Sequence, residues 1–375
     1  MLRLLLLTTT AALALASPAA ASTATERADA ALDRALDRLV ALGPPGAEAT
    51  VQRGGETTFH TAGVADVITR RKIQAHDRMR IASTAKAYSG AVALSLVAAG
   101  RLRLADTIAR RLPRLPRQWG PVTLAQLLGH TSGVPDFSQA PAFLDYVRAN
   151  LRRTFDSGRL WTFVRTAPLE FTPGSRYRYS NTDNIIVALM AEAATGRSYE
   201  RLLRERVTGP LGLRGTSLPS SYRMPRPFIH GYALQPPRAD DVTEGISQSY
   251  SWASGGIVST PADMNAFARG YVGARLFPRA VQRQQFRFRA GTSEPPGPGA
   301  NSAGLAVFRY RTRCGTVYGH TGNTPGYTQF FAATVDGRRS IQVAMNTQAT
   351  QKTAVRIWRV LRAAEEDAVC AALAR

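Results

Sequence analysis

The chain has 375 residues, 44% of them hydrophobic, and a formal charge of +22 from 48 lysines and arginines against 26 acids. That length and apolar content allow a large buried core, as one large domain or two interlocked ones. The charge attracts polyanions, yet no basic run interleaved with aromatics and no nucleic-acid motif is present, so nucleic acid is not an expected partner. The excess reads as an arginine-rich solvated surface, with anionic cell-wall polymers as a secondary partner.

In chain order, Met1-Leu2-Arg3 is a short basic start, Leu4 to Ala16 is apolar, and Pro18-Ala19-Ala20-Ala21 ends in small residues. This predicts a secretory signal peptide over 1–21. The apolar run is too short for a membrane anchor, and no later stretch can span a bilayer. A secreted protein of 22–375 is expected, with Arg3 the one charge lost. Leu32, Ala35, Leu36, Leu39 and Val40 form the stripe of an amphipathic helix over Thr25 to Leu42. Gly43-Pro44-Pro45-Gly46 stops it. Ala49 to Arg53 and Thr57 to Val64 flank Gly54-Gly55 as a β-hairpin.

Next comes Ser83-Thr84-Ala85-Lys86, running into the apolar stretch Ala91 to Ala98 and closed by Gly100. The pattern predicts a buried helix with a glycine C-cap. Residues three apart share a helix face, which sets the Lys86 amine beside the Ser83 hydroxyl. A serine hydroxyl becomes a good nucleophile only when a neighbour takes its proton. A serine N-cap followed by a solvated lysine has the same spacing. Against that, only Lys72, Lys86 and Lys352 are lysines among the 48 cations. Arginine cannot give up its proton in a protein, so a lysine kept here points to proton transfer.

From about Leu102 to Tyr232 the signals are helical or loop-like. Thr123 caps Leu124 to Leu128, Asn181 to Ala194 is a strong helix ended by Gly196, and Ser198 starts another through Val207. Thr260-Pro261-Ala262-Asp263 opens a helix closed by Gly270. Ser293 to Gly299, rich in proline and glycine, reads as a mobile loop. Strands follow at Leu305 to Arg311, Thr316 to His320, Tyr327 to Val335 and Ser340 to Asn346, the last two joined by a tight turn at Asp336-Gly337. A helix from about Thr350 to Leu373 ends the chain. The order predicts an α/β (α+β) fold: one antiparallel sheet assembled from both ends of the chain, flanked by helices, with a helical insertion. The α/β part covers about 22–82 and 245–375, the mainly helical part about 83–244.

Cys314 and Cys370 are the only cysteines. An even pair in an exported protein reads as one disulfide, with two separate buried thiols as the alternative. His60, His76, His130, His230 and His320 are scattered, and no Cys/His cluster has zinc spacing, so neither a metal nor a cofactor is expected.

Two further stretches complete the Ser83 motif. Tyr179-Ser180-Asn181 lies just before a helix, and His320-Thr321-Gly322 ends a strand and runs into Asn323. Singly, each would be a turn or a strand end. In this order, Ser83-x-x-Lys86, Tyr179-x-Asn181 and His320-Thr321-Gly322 resemble the three motifs of the penicillin-recognising serine hydrolases. The subgroup is the one with tyrosine in the second motif: class C β-lactamases, D-alanyl-D-alanine carboxypeptidases, D-aminopeptidases and related esterases. Leu127-Leu128-Gly129-His130-Thr131-Ser132-Gly133 and Ser254-Gly255-Gly256 are similar to further family segments. The histidine heading the third motif, with the cysteine positions, makes the chain most similar to the secreted actinobacterial D-alanyl-D-alanine carboxypeptidase/transpeptidase group.

The resemblance implies a β-lactamase/transpeptidase-like fold and an acyl-enzyme on Ser83, formed from a cell-wall stem peptide or by a β-lactam. Esterase, D-aminopeptidase and β-lactamase activity are the alternatives, and a catalytically idle wall-binding relative is a remote one. It implies that Lys86 and Tyr179 share the proton work, with Tyr179, as phenolate or through Lys86, the base and later the acid for the leaving amine, that Asn181 orients the substrate amide, and that the Ser83 and Asn323 N–H groups form the oxyanion hole. His320 would keep the site positive, Thr321 would bond a substrate carboxylate, and His130 would be structural. A monomer is expected. In the most similar group an arginine on the preceding strand grips the peptide's carboxylate. Counted back from Cys314, that position is Phe308, with Arg309 on the opposite face unless a bulge intervenes.

Overall fold

The computed structural model describes residues 23–235 and 238–374. The expected signal peptide lies outside them. Helix α1 (Ala24–Ala41) starts on a capping box in which Thr23 and Glu26 satisfy each other's backbone N–H. Its stripe of Leu32, Ala35, Leu36 and Leu39 is buried. Strands β1 (Gly46–Arg53) and β2 (Glu56–Gly63) form the hairpin expected around Gly54, whose φ of +60° suits glycine. The long helices that matter for the site are α2 (Ala85–Ala98), α3 (Asn181–Thr195) and α4 (Pro261–Val272). Strands β3 (Ala300–Ala303), β4 (Phe308–Thr312), β5 (Gly315–Thr324), β6 (Tyr327–Ala333) and β7 (Arg339–Met345) precede the last helix, α5 (Val355–Leu373).

The seven strands form one sheet in the order β2-β1-β7-β6-β5-β4-β3, antiparallel throughout. Pairing of β1 with β7, Ala49 opposite Val343, joins the two ends of the chain as expected. Side chains alternate across each strand. Phe330, Ile341 and Val343 pack under α1 and α5, while Phe331 and Ala344 belong to the core shared with α2 and α4. Residues 83–231 contribute helices and turns to the latter side, followed by a short hairpin, Tyr232–Gln235 with Arg238–Asp241. Helix α2 runs through this block with Ala85 to Leu96 buried on every side. A Cβ at Gly90 would lie 2.2 Å from the Ala306 Cβ, so a larger residue would force the helix off β4's leading turn.

Several boundaries differ from expectation, two of them for a clear tertiary reason. Helix α4 continues through Gly270 to Val272, and Gly270 is there because Leu211 packs where its side chain would be, 2.5 Å from the Cβ position. Strand β4 begins at Phe308, not Leu305, because the Ala306 N–H turns aside to the Leu128 carbonyl. Edge strand β3 was not expected at all. The helix after Ser198 is Tyr199–Leu203 followed by a π-helical turn, Arg204–Thr208. Helix α5 starts five residues late. Cys314 and Cys370 are bonded, tying the β4–β5 turn to α5. Among the described residues, no helix is long and apolar enough to cross a membrane.

Candidate active site

Ser83 sits in a single 3-10 turn, Ala82–Thr84, that feeds directly into α2. The turn is pinned from behind: Met79-Arg80 pairs with Ser259-Val258, and the Ile81 N–H donates to the Ile257 carbonyl. Ala82 takes a left-handed φ of +51°, a conformation that a non-glycine residue holds only where the surroundings impose it. Ser83 is thereby left half-buried at the cleft while its neighbours Ala82 and Thr84 are buried.

Strand β5 runs past this turn. A Cβ on Gly322 would lie 2.7 Å from the Ile81 carbonyl oxygen and 3.0 Å from the Ser83 and Thr84 nitrogens. Only glycine lets the strand approach so closely. The third motif therefore lies within β5 and does not end it, as the sequence had suggested. Pairing of β5 with β4 stops at Gly319, so the β5 edge beyond it is open on that side. The two-residue Pro325-Gly326 turn makes Thr324–Tyr327 the hydrogen-bonded pair. Alternation then points the Asn323 N–H outward to the open edge.

Lys86 is fully buried and its amine meets three acceptors: Ser83 Oγ at 3.1 Å, Asn181 Oδ1 at 2.7 Å and the Ser254 carbonyl at 2.7 Å. Burial brings its pKa down to about 7, against the opposing pull of Asp136, Glu294 and Asp183. Near neutrality a large fraction of the amine is therefore unprotonated, and the Ser83 hydroxyl can donate to it.

Tyr179 is buried with its ring centroid 4.9 Å from the Lys86 nitrogen. Its hydroxyl is influenced by Ser83 but has no hydrogen-bond partner among the described residues. Burial raises the phenol well above its usual range. That direction favours a neutral phenol over a phenolate at Tyr179, and leaves Lys86 as the group whose pKa lies near neutrality. Both Asn181 amide protons are also committed, to Asp136 Oδ2 and Ser138 Oγ at 2.9 Å each. Asn181 thus fixes the Lys86 amine.

His320 is buried, and burial aided by the Lys86 charge pushes it down to about 3. It is neutral and does not keep the site positive. Its Nδ1–H donates to the Thr321 carbonyl at 2.6 Å, which leaves Nε2 an acceptor, buried and unpartnered. The Thr321 hydroxyl donates to the Pro295 carbonyl. Asn323 Nδ2 donates to the Ala349 carbonyl at 2.7 Å. Phe308 is buried with its ring 4.9 Å from that of His320, whereas the Arg309 guanidinium lies over Phe288 and donates to Ser302. The β4–β5 register is continuous, with no bulge. His130, left-handed at φ +51°, binds Asp183 of α3 at 2.8 Å and packs against Tyr179 at 4.5 Å between ring centroids.

All three motifs therefore meet around Ser83. Asp136, Ser138 and the Ser254 carbonyl were missed, though Asp136 follows the Leu127–Gly133 stretch and Ser254 opens the Gly-Gly segment. The Ser293–Gly299 loop, expected to be mobile, is tied against the third motif; no local signal in its sequence indicates this.

A half-buried serine sharing hydrogen bonds with an amine near its neutral form is the apparatus of a serine hydrolase. The chain belongs to the β-lactamase family, whose model, described as Beta-lactamase, matches residues 32–366. It is 30% identical over 338 residues to a D-aminopeptidase of Cereibacter sphaeroides, covering 86% of this chain and 61% of that protein. It is 27% identical over 267 residues to the D-alanyl-D-alanine-carboxypeptidase/endopeptidase AmpH of Escherichia coli, covering 68% of this chain and 65% of the relative. The chain thus spans about three fifths of the length of the D-aminopeptidase it matches. Among solved structures, a D-stereospecific amidohydrolase from Streptomyces sp. superposes with a TM-score of 0.76 at 29% identity, covering 85% of this chain and 94% of the other. The fold is also that of a D-amino acid amidase from Ochrobactrum anthropi, TM-score 0.80 at 23% identity over 92% and 98% of the two chains.

Proposed function

We propose that this protein hydrolyses amides or esters of D-configured amino acids through an acyl-enzyme on Ser83. Neutral Lys86 takes the Ser83 proton as Oγ attacks the substrate carbonyl. The Ser83 and Asn323 N–H groups receive the oxyanion. The Lys86 ammonium returns its proton to the leaving nitrogen, with the Tyr179 phenol donating a hydrogen bond beside it. Water then attacks the acyl-serine by the same steps reversed. Asn181, held by Asp136, keeps the amine aimed at Ser83. The names of the D-aminopeptidase and D-stereospecific amidohydrolase relatives support the D-configured substrate. The disulfide and the signal-like start support export, with cell-wall peptides or other small acyl compounds as partners.

The observation that carries this choice over a carboxypeptidase is that neither the Phe308 position on β4 nor the third motif on β5 offers a charged clamp. Phe308 occupies the position of the expected clamp, Arg309 is engaged elsewhere, His320 is neutral and the Thr321 hydroxyl is used. A terminal carboxylate loses its charge-assisted pair. The likeness to AmpH keeps D-alanyl-D-alanine carboxypeptidase activity as a second reading. The test is kcat/KM on a D-Ala-D-Ala peptide with free and with amidated C-terminus. The amide should be cleaved at least as well. A preference for the free acid above about a hundredfold, some 2.7 kcal/mol of transition-state binding, would overturn the choice.

A further inference from the structure

The loop from Thr292 to Gly297 is built into the site on several sides. Tyr177, from the second-motif stretch, donates to the Thr292 carbonyl at 2.6 Å. Ser293 is buried, its hydroxyl 3.0 Å from that of Tyr310 on β4. Thr321 of the third motif holds the Pro295 carbonyl, Arg362 of α5 holds the Pro296 carbonyl, and the Gly297 N–H reaches Asn301 at 2.8 Å. Glu294 lies between the anchors supplied by the second and third motifs.

These anchors leave the Glu294 side chain open to solvent, although it sits deep enough among protein atoms for lost hydration to raise its carboxyl. Of these two facts the solvent exposure matters here, because it lets a solute reach the carboxylate. Glu294 accepts no hydrogen bond among the described residues. The charges that act on it are those of Asp136, Lys86, Arg178 and Lys352. Asp136 is occupied by Asn181 and the Ser138 N–H. Arg178 is paired with Glu170 at 3.0 Å. Lys86 is spent on Ser83, Asn181 and Ser254. Lys352 is exposed and forms no ion pair with Glu294 among the described residues. In a chain of charge +22, this loop thus presents an unpaired carboxylate, one residue before the Pro295 carbonyl that takes the Thr321 hydroxyl.

We infer that Glu294 is the specificity determinant of the acyl-enzyme reaction: it receives the free α-ammonium of a D-aminoacyl amide or ester and disfavours donors that are N-acylated or end in a carboxylate. The inference rests on the acyl-Ser83 reading above. Two further groups at the site are free for a ligand, since the Tyr179 hydroxyl and His320 Nε2 are both buried without partners.

The experiment compares kcat/KM for D-alaninamide and N-acetyl-D-alaninamide in wild type and in Glu294→Gln, with melting curves to confirm that both fold. Wild type should prefer the free amine, and the substitution should lower the ratio of the two values about tenfold, the scale of a hydrogen bond to a charged group. The wild-type ratio should also fall with added salt. Glu294→Asp should recover part of the preference. A ratio unchanged within about twofold in Glu294→Gln, or a wild-type preference for the N-acetyl compound, overturns the inference. Acylation by a penicillin, followed by intact mass, separates the two layers. Labelling of Ser83 without the charge preference sinks only the role of Glu294; neither labelling nor turnover sinks the acyl-enzyme reading and this inference with it.

Discussion

Lys86→Arg keeps a positive charge and a donor at the centre of the site and removes the ability to lose a proton. With its pKa near 7, Lys86 is unprotonated in a large fraction of molecules at neutral pH. An arginine holds its proton far above neutrality and would be neutral in fewer than roughly one molecule in 10⁵. General base catalysis contributes about 10²–10⁴-fold. Acylation of Ser83 should therefore fall about a thousandfold, some 4 kcal/mol of barrier. Intact-mass time courses with a β-lactam measure it directly. The wild-type acylation rate should rise with pH through about 7, because the base is the deprotonated amine and its pKa is depressed by burial. The slot is fully buried, so melting curves must show that the substituted protein folds. Acylation of Lys86→Arg within about tenfold of wild type, some 1.4 kcal/mol, refutes proton transfer by Lys86.

Gly322→Ala should slow acylation more than about tenfold and destabilise by about 1–3 kcal/mol, because its Cβ would press on the Ile81 carbonyl and the Ser83 turn; acylation rate and thermal midpoint together check it. Cys370→Ala removes the Cys314 bond, which closes a loop of 56 residues in sequence. Urea unfolding should show a loss of up to about 4 kcal/mol, and alkylation of the unreduced wild type should find no free thiol.

Local signals predicted those elements whose reasons are local. The Leu32–Leu39 stripe, the Gly54-Gly55 hairpin and the Thr260 cap with Pro261 appear where expected. The three motifs meet around Ser83 because each is a short pattern with a demanding backbone, such as glycine at 322, although the third lies within β5 and does not end it. What was not legible depends on partners distant in sequence. Strand β4 starts late because Leu128, nearly two hundred residues away, captures the Ala306 N–H. The protonation states of Tyr179 and His320 follow from burial, which no short pattern encodes. The Thr292–Gly297 loop has the composition of a flexible link, and its order comes from Tyr177, Tyr310, Thr321 and Arg362.

The central claim is that a covalent intermediate forms on Ser83. Incubation with a fluorescent penicillin, followed by proteolysis and mass mapping, tests it, alongside D-alaninamide turnover by wild type and Ser83→Ala. The adduct should map to the peptide containing Ser83 and be absent from Ser83→Ala, which should also lose turnover. Undiminished turnover by Ser83→Ala, or an adduct mapping to another residue, would contradict it.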